Sequence, residues 1–112
     1  MPDKYLLRGT ELRYVLTMQL LQHGPQSVAD LVEALREQGF TTKGRPSKTV
    51  SDALRWEIEH GRVHRIRYGK YRSASMPRST EYRIGKRVLA LRESAAQRSA
   101  SNADPFWDAL GA

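Results

Sequence analysis

Nine lysine and arginine side chains lie between residues 62 and 87, with one acid, Glu81, among them. Guanidinium and ammonium groups at this density bind polyanions, because each can neutralise a phosphate and release its counterions. The nine are Arg62, Arg65, Arg67, Lys70, Arg72, Arg78, Arg83, Lys86 and Arg87. They are interleaved with strand-favouring residues, namely Val63, Ile66, Tyr68, Tyr71, Tyr82 and Ile84. The pattern predicts a basic β-ribbon that lies on a polyanion, with nucleic acid as the foremost candidate.

The net charge of +7 is unevenly distributed along the 112 residues. Residues 1–42 carry a net charge of −1, residues 43–98 carry +10 and residues 99–112 carry −2. This segregation predicts one strongly basic face. Arginine outnumbers lysine 14 to 5, which suits bidentate contacts to phosphate and to guanine edges. A GC-rich coding sequence would produce the same bias, so the bias alone does not decide between the two explanations.

The residues that metal, redox and hydrolytic chemistry require are missing or scattered. The sequence holds no cysteine, and the histidines lack the spacing of zinc ligands. No apolar run approaches the roughly 20 residues of a membrane span, and no signal peptide precedes the first predicted helix. Acids such as Glu57 and Glu59 are spaced for surface ion pairs rather than for a catalytic dyad. We therefore expect a cytoplasmic protein that is not an enzyme and needs no metal, cofactor or membrane.

Hydrophobic periodicity predicts two helices in the first part of the chain. The first spans residues 10–23, with Thr10 as its N-cap, and Gly24-Pro25 ends it. The second is capped by Ser27 and ends at Gly39. Their apolar positions are Leu12, Val15, Leu16 and Leu20 in the first helix and Leu31, Val32 and Leu35 in the second.

A turn-rich connector, residues 39–47, leads from the second helix to a third. We expect Phe40 to leave this connector and enter the core. The third helix begins near Ser47 and runs to His60. Its predicted apolar side consists of Val50, Ala53, Leu54 and Ile58, and its opposite side consists of Lys48, Ser51, Asp52, Arg55 and Glu59.

The β-ribbon is predicted from two segments that follow the third helix. Residues 62–68 form its first strand and residues 79–84 its second, because Thr80, Tyr82 and Ile84 alternate with charged residues. The loop from Gly69 to Arg78 joins them, and a final helix covers residues 86–98.

These elements predict one α+β domain that is mainly α-helical with a small β-ribbon. Residues 1–9 form an N-terminal arm, residues 10–85 the domain and residues 86–98 a C-terminal helix. Residues 99–112 form a flexible tail with a short aromatic motif. The motif consists of Phe106, Trp107 and Leu110 after Asp104-Pro105, and it either binds a partner or folds back on the domain.

Four segments carry a resemblance to a known family. They are Ser27-Val28-Ala29-Asp30-Leu31, Thr49-Val50-Ser51-Asp52-Ala53-Leu54, Gly61-Arg62-Val63-His64-Arg65 and Gly69-Lys70-Tyr71-Arg72. With the order helix-helix-helix-strand-strand, residues 8–85 resemble a winged helix-turn-helix domain. The sequence departs from the family's pattern at Glu57, where an apolar residue is usual, at Arg62, which is usually apolar too, and in its long connector.

The resemblance implies that the helix at 47–60 enters the DNA major groove while the wing at 62–84 follows the backbone or a minor groove. The recognition-helix candidates are Lys48, Thr49, Ser51, Asp52 and Arg55. The candidates for backbone contacts are Lys43, Arg45, Ser47, Arg65, Arg67, Lys70, Arg72 and Arg78. Asp52 either accepts from a cytosine amine or orients Arg55, and orientation is the favoured role. Trp56 is expected to pack on another element rather than on a base.

The sequence therefore favours a double-stranded DNA-binding protein of the nucleoid, either a transcriptional regulator or an architectural factor. A second hypothesis is a protein-interaction module whose basic ribbon binds an acidic partner, since this fold serves both purposes. RNA binding ranks third, because no aromatic RNA-binding sheet motif is present. A homodimer through the first helix or through residues 86–98 is also expected, and the tail motif is a candidate partner-binding segment.

Overall fold

The structure is a computed structural model that describes residues 4–103, without the side chains of Tyr68 and of residues 99–103. The predicted tail motif at Phe106, Trp107 and Leu110 lies outside the described residues. The elements follow in the order β1 (Tyr5–Leu7), α1 (Thr10–His23), β2 (Gln26–Ser27), α2 (Val28–Glu37), β3 (Phe40–Thr42), α3 (Pro46–Glu59), β4 (Val63–Ile66), a 3-10 turn (Arg67–Gly69), β5 (Lys70–Ser73) and α4 (Arg78–Ala103). The chain is thus a mostly helical α+β fold, as predicted.

The first two helices have the predicted bounds and different kinds of start. The hydroxyl of Thr10 accepts a hydrogen bond from Arg13 instead of capping α1, whose N-cap is Gly9. In α2 the Ser27 hydroxyl accepts from the Asp30 amide and the Asp30 carboxylate accepts from the Ser27 amide, both at 3.1 Å. These two bonds form a capping box, and the bond that the Ser27 amide donates to the carboxylate is the main cause that lowers the pKa of Asp30.

One apolar core joins all four helices, and α1 is its central element. The buried residues of α1 lie on most of its circumference, and they include Thr17 and Gln19. The core consists of Leu7, Leu12, Val15, Leu16, Met18, Leu20, Leu31, Leu35, Phe40, Val50, Leu54, Val63, Ile84, Val88, Leu91 and Ala95. Phe40 is fully buried, which confirms its predicted place in the core.

Two small sheets position the ends of the helices. Strands β2, β5 and β4 form an antiparallel sheet in that order, so that Gln26–Ser27 pairs with the hairpin formed by β4 and β5. Strands β1 and β3 pair in parallel, with Tyr5 opposite Phe40 and Leu7 opposite Thr42. The N-terminal arm and the connector before α3 are therefore fastened to each other.

The predicted second strand at 79–84 is wrong, because these residues lie in α4 and the second strand is Lys70–Ser73. The chain reverses within Arg67–Gly69, where Gly69 has a φ of 67°, instead of through a long loop. The alternation of Thr80, Tyr82 and Ile84 was too short to distinguish a period of two from a helical period. Ile84 instead begins the buried helical series Ile84, Val88, Leu91 and Ala95.

This correction divides the nine basic residues between two elements. Five of them, Arg62, Arg65, Arg67, Lys70 and Arg72, lie on the hairpin or directly before it. The other four, Arg78, Arg83, Lys86 and Arg87, lie on α4. The predicted single basic ribbon is therefore a short basic hairpin followed by a basic helix.

A pair of truncations on α4 tests this assignment. Ile84→Ala should lower the free energy of unfolding by about 2–5 kcal/mol, because the side chain is fully buried. Tyr82→Ala should change the stability of the monomer by about 0.5 kcal/mol or less, because 67% of that residue is exposed. Urea unfolding measures both. Equal losses would instead indicate a strand, in which residues 82 and 84 share one face.

Candidate functional site

Helix α3 begins at Pro46, one residue before the predicted start, and its first turn is fastened to the connector. Proline suits this position because the first amides of a helix have no partner within it. The Thr49 hydroxyl donates to the Lys43 carbonyl at 2.8 Å and to the Arg45 carbonyl at 3.0 Å. Thr49 is half-buried, so its hydroxyl serves the helix start rather than an open surface. Lys43 and Arg45 are exposed beside it.

The exposed face of α3 holds a charged group of three side chains. The Lys48 ammonium donates to Asp52 Oδ2 at 2.9 Å, and Arg55 Nη1 lies 3.8 Å from Asp52 Oδ1. The hydrogen bond from Lys48 is the main cause that lowers the pKa of Asp52. Such exposed pairs contribute little stability. Their effect is geometric, since Asp52 holds the cations of two successive helical turns together.

The β4–β5 hairpin presents two different faces. Arg65 lies opposite Tyr71 and therefore shares a face with it, whereas His64 and Arg72 share the other face. Arg65 and Tyr71 line a cleft of about 240 Å³ together with Ser51, Arg55 and Ile58 of α3. The cleft thus brings a predicted recognition-helix residue, Arg55, next to a predicted wing residue, Arg65.

The remaining hairpin cations are exposed and have few acidic neighbours. Arg67 lies in the turn, while Lys70 and Arg72 lie on β5. Within the described part of the chain, Arg65, Arg67 and Arg72 form no ion pair. Lys70 lies close enough to Asp30 to contribute to the lowering of that residue's pKa. The hairpin therefore carries positive charge that the described protein leaves largely uncompensated.

Two of the predicted site residues, Arg78 and Ser47, do not line this cleft. Arg78 lies in the first turn of α4 and lines a groove with Met18 and Leu89, so it does not belong to the hairpin. Ser47 is exposed in the first turn of α3, near the connector cations. The structure therefore brings Ser51 and Arg55 of α3 next to Arg65 of the hairpin, leaves the connector candidates beside the start of α3, and places Arg78 on α4.

The prediction that Glu57 lies on the surface is wrong, because its residue is completely buried. Its carboxylate accepts two hydrogen bonds from Arg62, Nε to Oε2 at 2.7 Å and Nη2 to Oε1 at 3.0 Å. The Thr17 hydroxyl of α1 donates to Oε2 at 2.9 Å, and Arg13 Nε lies 3.6 Å from Oε1. A buried carboxylate is tolerated here because both oxygens have charged or hydrogen-bonding partners.

Arg62 connects this buried carboxylate to the hairpin. Its backbone amide donates to the Glu57 carbonyl, and its carbonyl accepts from the Ala74 amide, each at 2.9 Å. Its guanidinium pKa is raised by the hydrogen bond to Glu57. The end of α3, the start of β4 and the end of β5 therefore meet at one residue.

The two residues at which the sequence departs from the pattern that it resembles, Glu57 and Arg62, are complementary. Their side chains form a bidentate pair. The sequence signal that would have revealed the pair is an acid at an apolar position of the helix with a base five residues later, beyond the helix end.

Trp56 packs over the outside of this cluster. Its ring stacks on His60 with centroids 3.5 Å apart, and the Arg13 guanidinium lies 3.9 Å from the ring centroid. The predicted packing of Trp56 on another element is therefore confirmed, and that element is α1. Trp56 is still 36% exposed, and its contact with Arg13 places it at the junction between α1 and α3.

Comparison of the chain with protein-family models, with curated proteins and with solved structures finds no match. Among the described residues, no group of three or more histidines and acids is arranged to hold a metal ion. None of the described helices combines the length and the apolar character that crossing a membrane requires.

A double-mutant cycle tests the buried pair. Arg62→Leu should lower the free energy of unfolding by about 3 kcal/mol, at the lower end for broken buried pairs, because Thr17 and Arg13 still face the carboxylate. Combining it with Glu57→Leu should recover part of that loss, since no carboxylate is then left buried, while Thr17 and Arg13 lose their partner. Urea unfolding measures each variant.

The exposed acid Glu59 supplies the matched control for this cycle. Glu59→Leu should change the free energy of unfolding by about 0.5 kcal/mol or less. If the losses from Glu57→Leu and Arg62→Leu simply add in the double variant, the two side chains do not act as a pair.

Proposed function

We propose that this chain is a winged helix-turn-helix protein that binds double-stranded DNA. In this proposal α3 enters the major groove and the β4–β5 hairpin acts as the wing on the backbone or an adjacent minor groove. The order α1-β2-α2-β3-α3-β4-β5 supports it, as does the pairing of β2 with β5, which joins the helical part to the hairpin. The wing is shorter than the sequence predicted.

The observation that carries the proposal is the cleft shared by α3 and the hairpin. Arg55 and Arg65 approach it from different elements, and among the described residues the hairpin arginines Arg65, Arg67 and Arg72 form no ion pair. Positive charge without acidic partners contributes little to the stability of the free protein. It lowers the free energy of the complex when a polyanion binds. A DNA backbone that runs along the cleft would contact both elements.

The proposal assigns different roles to the two sets of side chains. Lys48, Ser51 and Arg55 contact base edges, and Asp52 orients Lys48 and Arg55, since it already contacts both cations. The hairpin cations contact phosphates, as do Lys43, Arg45 and Ser47 beside the helix start. Thr49 holds the start of α3, and Arg78 has no part in the interface.

An acidic protein partner remains the second candidate for the same surface. Ile58 favours it, because this apolar side chain is 36% exposed in the cleft. One apolar side chain among several cations is a small patch for protein docking, which usually buries a larger apolar centre. The charge of the cleft therefore favours DNA as the partner.

A salt titration of duplex binding tests the proposal. If about five phosphates are neutralised, log K should fall with log[salt] at a slope near −4 to −5. Arg65→Ala combined with Arg67→Ala should reduce the steepness of that slope by about 2 and weaken binding to all sequences alike. Fluorescence anisotropy with a labelled duplex gives these slopes.

The matched control removes two exposed arginines from elsewhere. Arg36→Ala combined with Arg83→Ala, on α2 and α4, should leave the salt slope unchanged. Absence of duplex binding even at low salt would contradict the proposal. An equal effect of the control pair would show that net charge, and not the hairpin, determines binding.

A further inference from the structure

The outer side of α4 carries an apolar groove that the proposed DNA surface does not use. The groove has a volume of about 400 Å³ and lies where Met18 of α1 meets α4. Tyr82 is 67% exposed and Leu89 57% exposed, although both are large apolar residues. Gly85 lies between them without a side chain, and a Cβ there would meet Met18 Cε at 3.5 Å. An exposed apolar feature of this kind indicates an interaction site.

The charges around the groove define what would bind there. Arg78 and Lys86 line it, and Glu81 is the one acid among the described residues that does so. The Lys86 ammonium lies 5.7 Å from the centroid of the Tyr82 ring, so a positive charge stands directly beside the apolar surface. A segment that combines aromatic or aliphatic side chains with acids fits these charges.

The chain contains one such segment, at residues 104–112. Its sequence is Asp-Pro-Phe-Trp-Asp-Ala-Leu-Gly-Ala, with two acids, no base, and large apolar residues at Phe106, Trp107 and Leu110. Aromatic anchors of this type dominate the energetics of many interfaces. The two acids complement Arg78 and Lys86.

The length of chain between α4 and this segment determines whether the segment can contact the groove of its own molecule. Leu89 is the groove residue nearest to the end of α4, and it lies about 21 Å from Ala103 along the helix. A fully extended chain advances at most about 3.5 Å per residue, so Trp107 stays within about 14 Å of Ala103. Phe106 and Trp107 therefore fall short of the groove in their own copy.

We infer that this chain forms a symmetric dimer in which residues 104–110 of each copy occupy the α4 groove of the other. An antiparallel arrangement of two α4 helices through their exposed sides, with its two-fold axis near Ala96, places each segment beside Tyr82 and Leu89 of the other copy. The groove is then incomplete without the second copy, and both copies contribute the same two surfaces. The dimer does not depend on DNA binding, because it uses other residues.

Sedimentation of the full chain over a wide concentration range tests this inference. The chain should dimerise, and Phe106→Ala combined with Trp107→Ala should raise the dimer dissociation constant by at least about tenfold. Leu89→Asp should have a similar effect, because it places an acid in the groove beside the acidic segment. Ala29→Asp adds the same charge to an exposed position of α2 and should leave dimerisation unchanged.

Mixing the two defective variants distinguishes this arrangement from other dimers. A Leu89→Asp copy keeps an intact tail segment, and a Phe106→Ala/Trp107→Ala copy keeps an intact groove. Their mixture should therefore form heterodimers through one remaining contact, although each variant alone is monomeric. A monomeric full chain, a dimer that survives loss of Phe106 and Trp107, or a mixture that stays monomeric would each overturn the inference.

Discussion

The bidentate pair between Glu57 and Arg62 fixes how the hairpin is oriented on the helices. The carboxylate lies fully inside the protein, where α1 supplies Thr17 and Arg13 and the chain after α3 supplies Arg62. A buried carboxylate needs charged or hydrogen-bonding partners at defined positions, whereas an apolar side chain tolerates many packings. The pair therefore restricts the angle at which β4 leaves α3 more narrowly than an apolar contact would.

The proposed DNA surface depends on that restriction. Arg55 extends from α3 and Arg65 from β4, and they line one cleft because the chain turns sharply between Glu59 and Val63. The backbone bonds of Arg62 to Glu57 and Ala74 set this turn, and the side-chain pair holds it from inside. The groove on α4 is separate from this junction, which lets the proposed DNA contact and the proposed self-association use different surfaces.

The sequence predicted those helices and strands whose bounds depend on interactions between residues that are close in the chain. The bounds of α1 and α2 followed from apolar periodicity, from Gly24-Pro25 and from the Ser27 cap, and the first strand of the hairpin was also correct. The second strand failed because three alternating residues, Thr80, Tyr82 and Ile84, fit either period, and only packing on α1 selects the helix.

Long-range partners were beyond the reach of such signals. The parallel pairing of Tyr5–Leu7 with Phe40–Thr42 joins segments that no local pattern connects. The buried state of Glu57 depends on Thr17, forty residues earlier, and on Arg62 across a helix end. Helical geometry placed the exposed charged residues of α3 correctly, but it also placed Ile58 on the buried side, where the structure has Glu57 instead.

The orientation of the hairpin relative to α3 can be measured directly as a distance. Spin labels at Lys48→Cys and Arg72→Cys attach cleanly, because the chain has no cysteine of its own. With Glu57 and Arg62 in place, pulsed electron spin resonance should give one narrow distance distribution. The Glu57→Leu/Arg62→Leu variant, once circular dichroism shows that it is folded, should give a broader or shifted distribution. The same narrow distribution in both proteins would contradict the claim that this pair orients the hairpin.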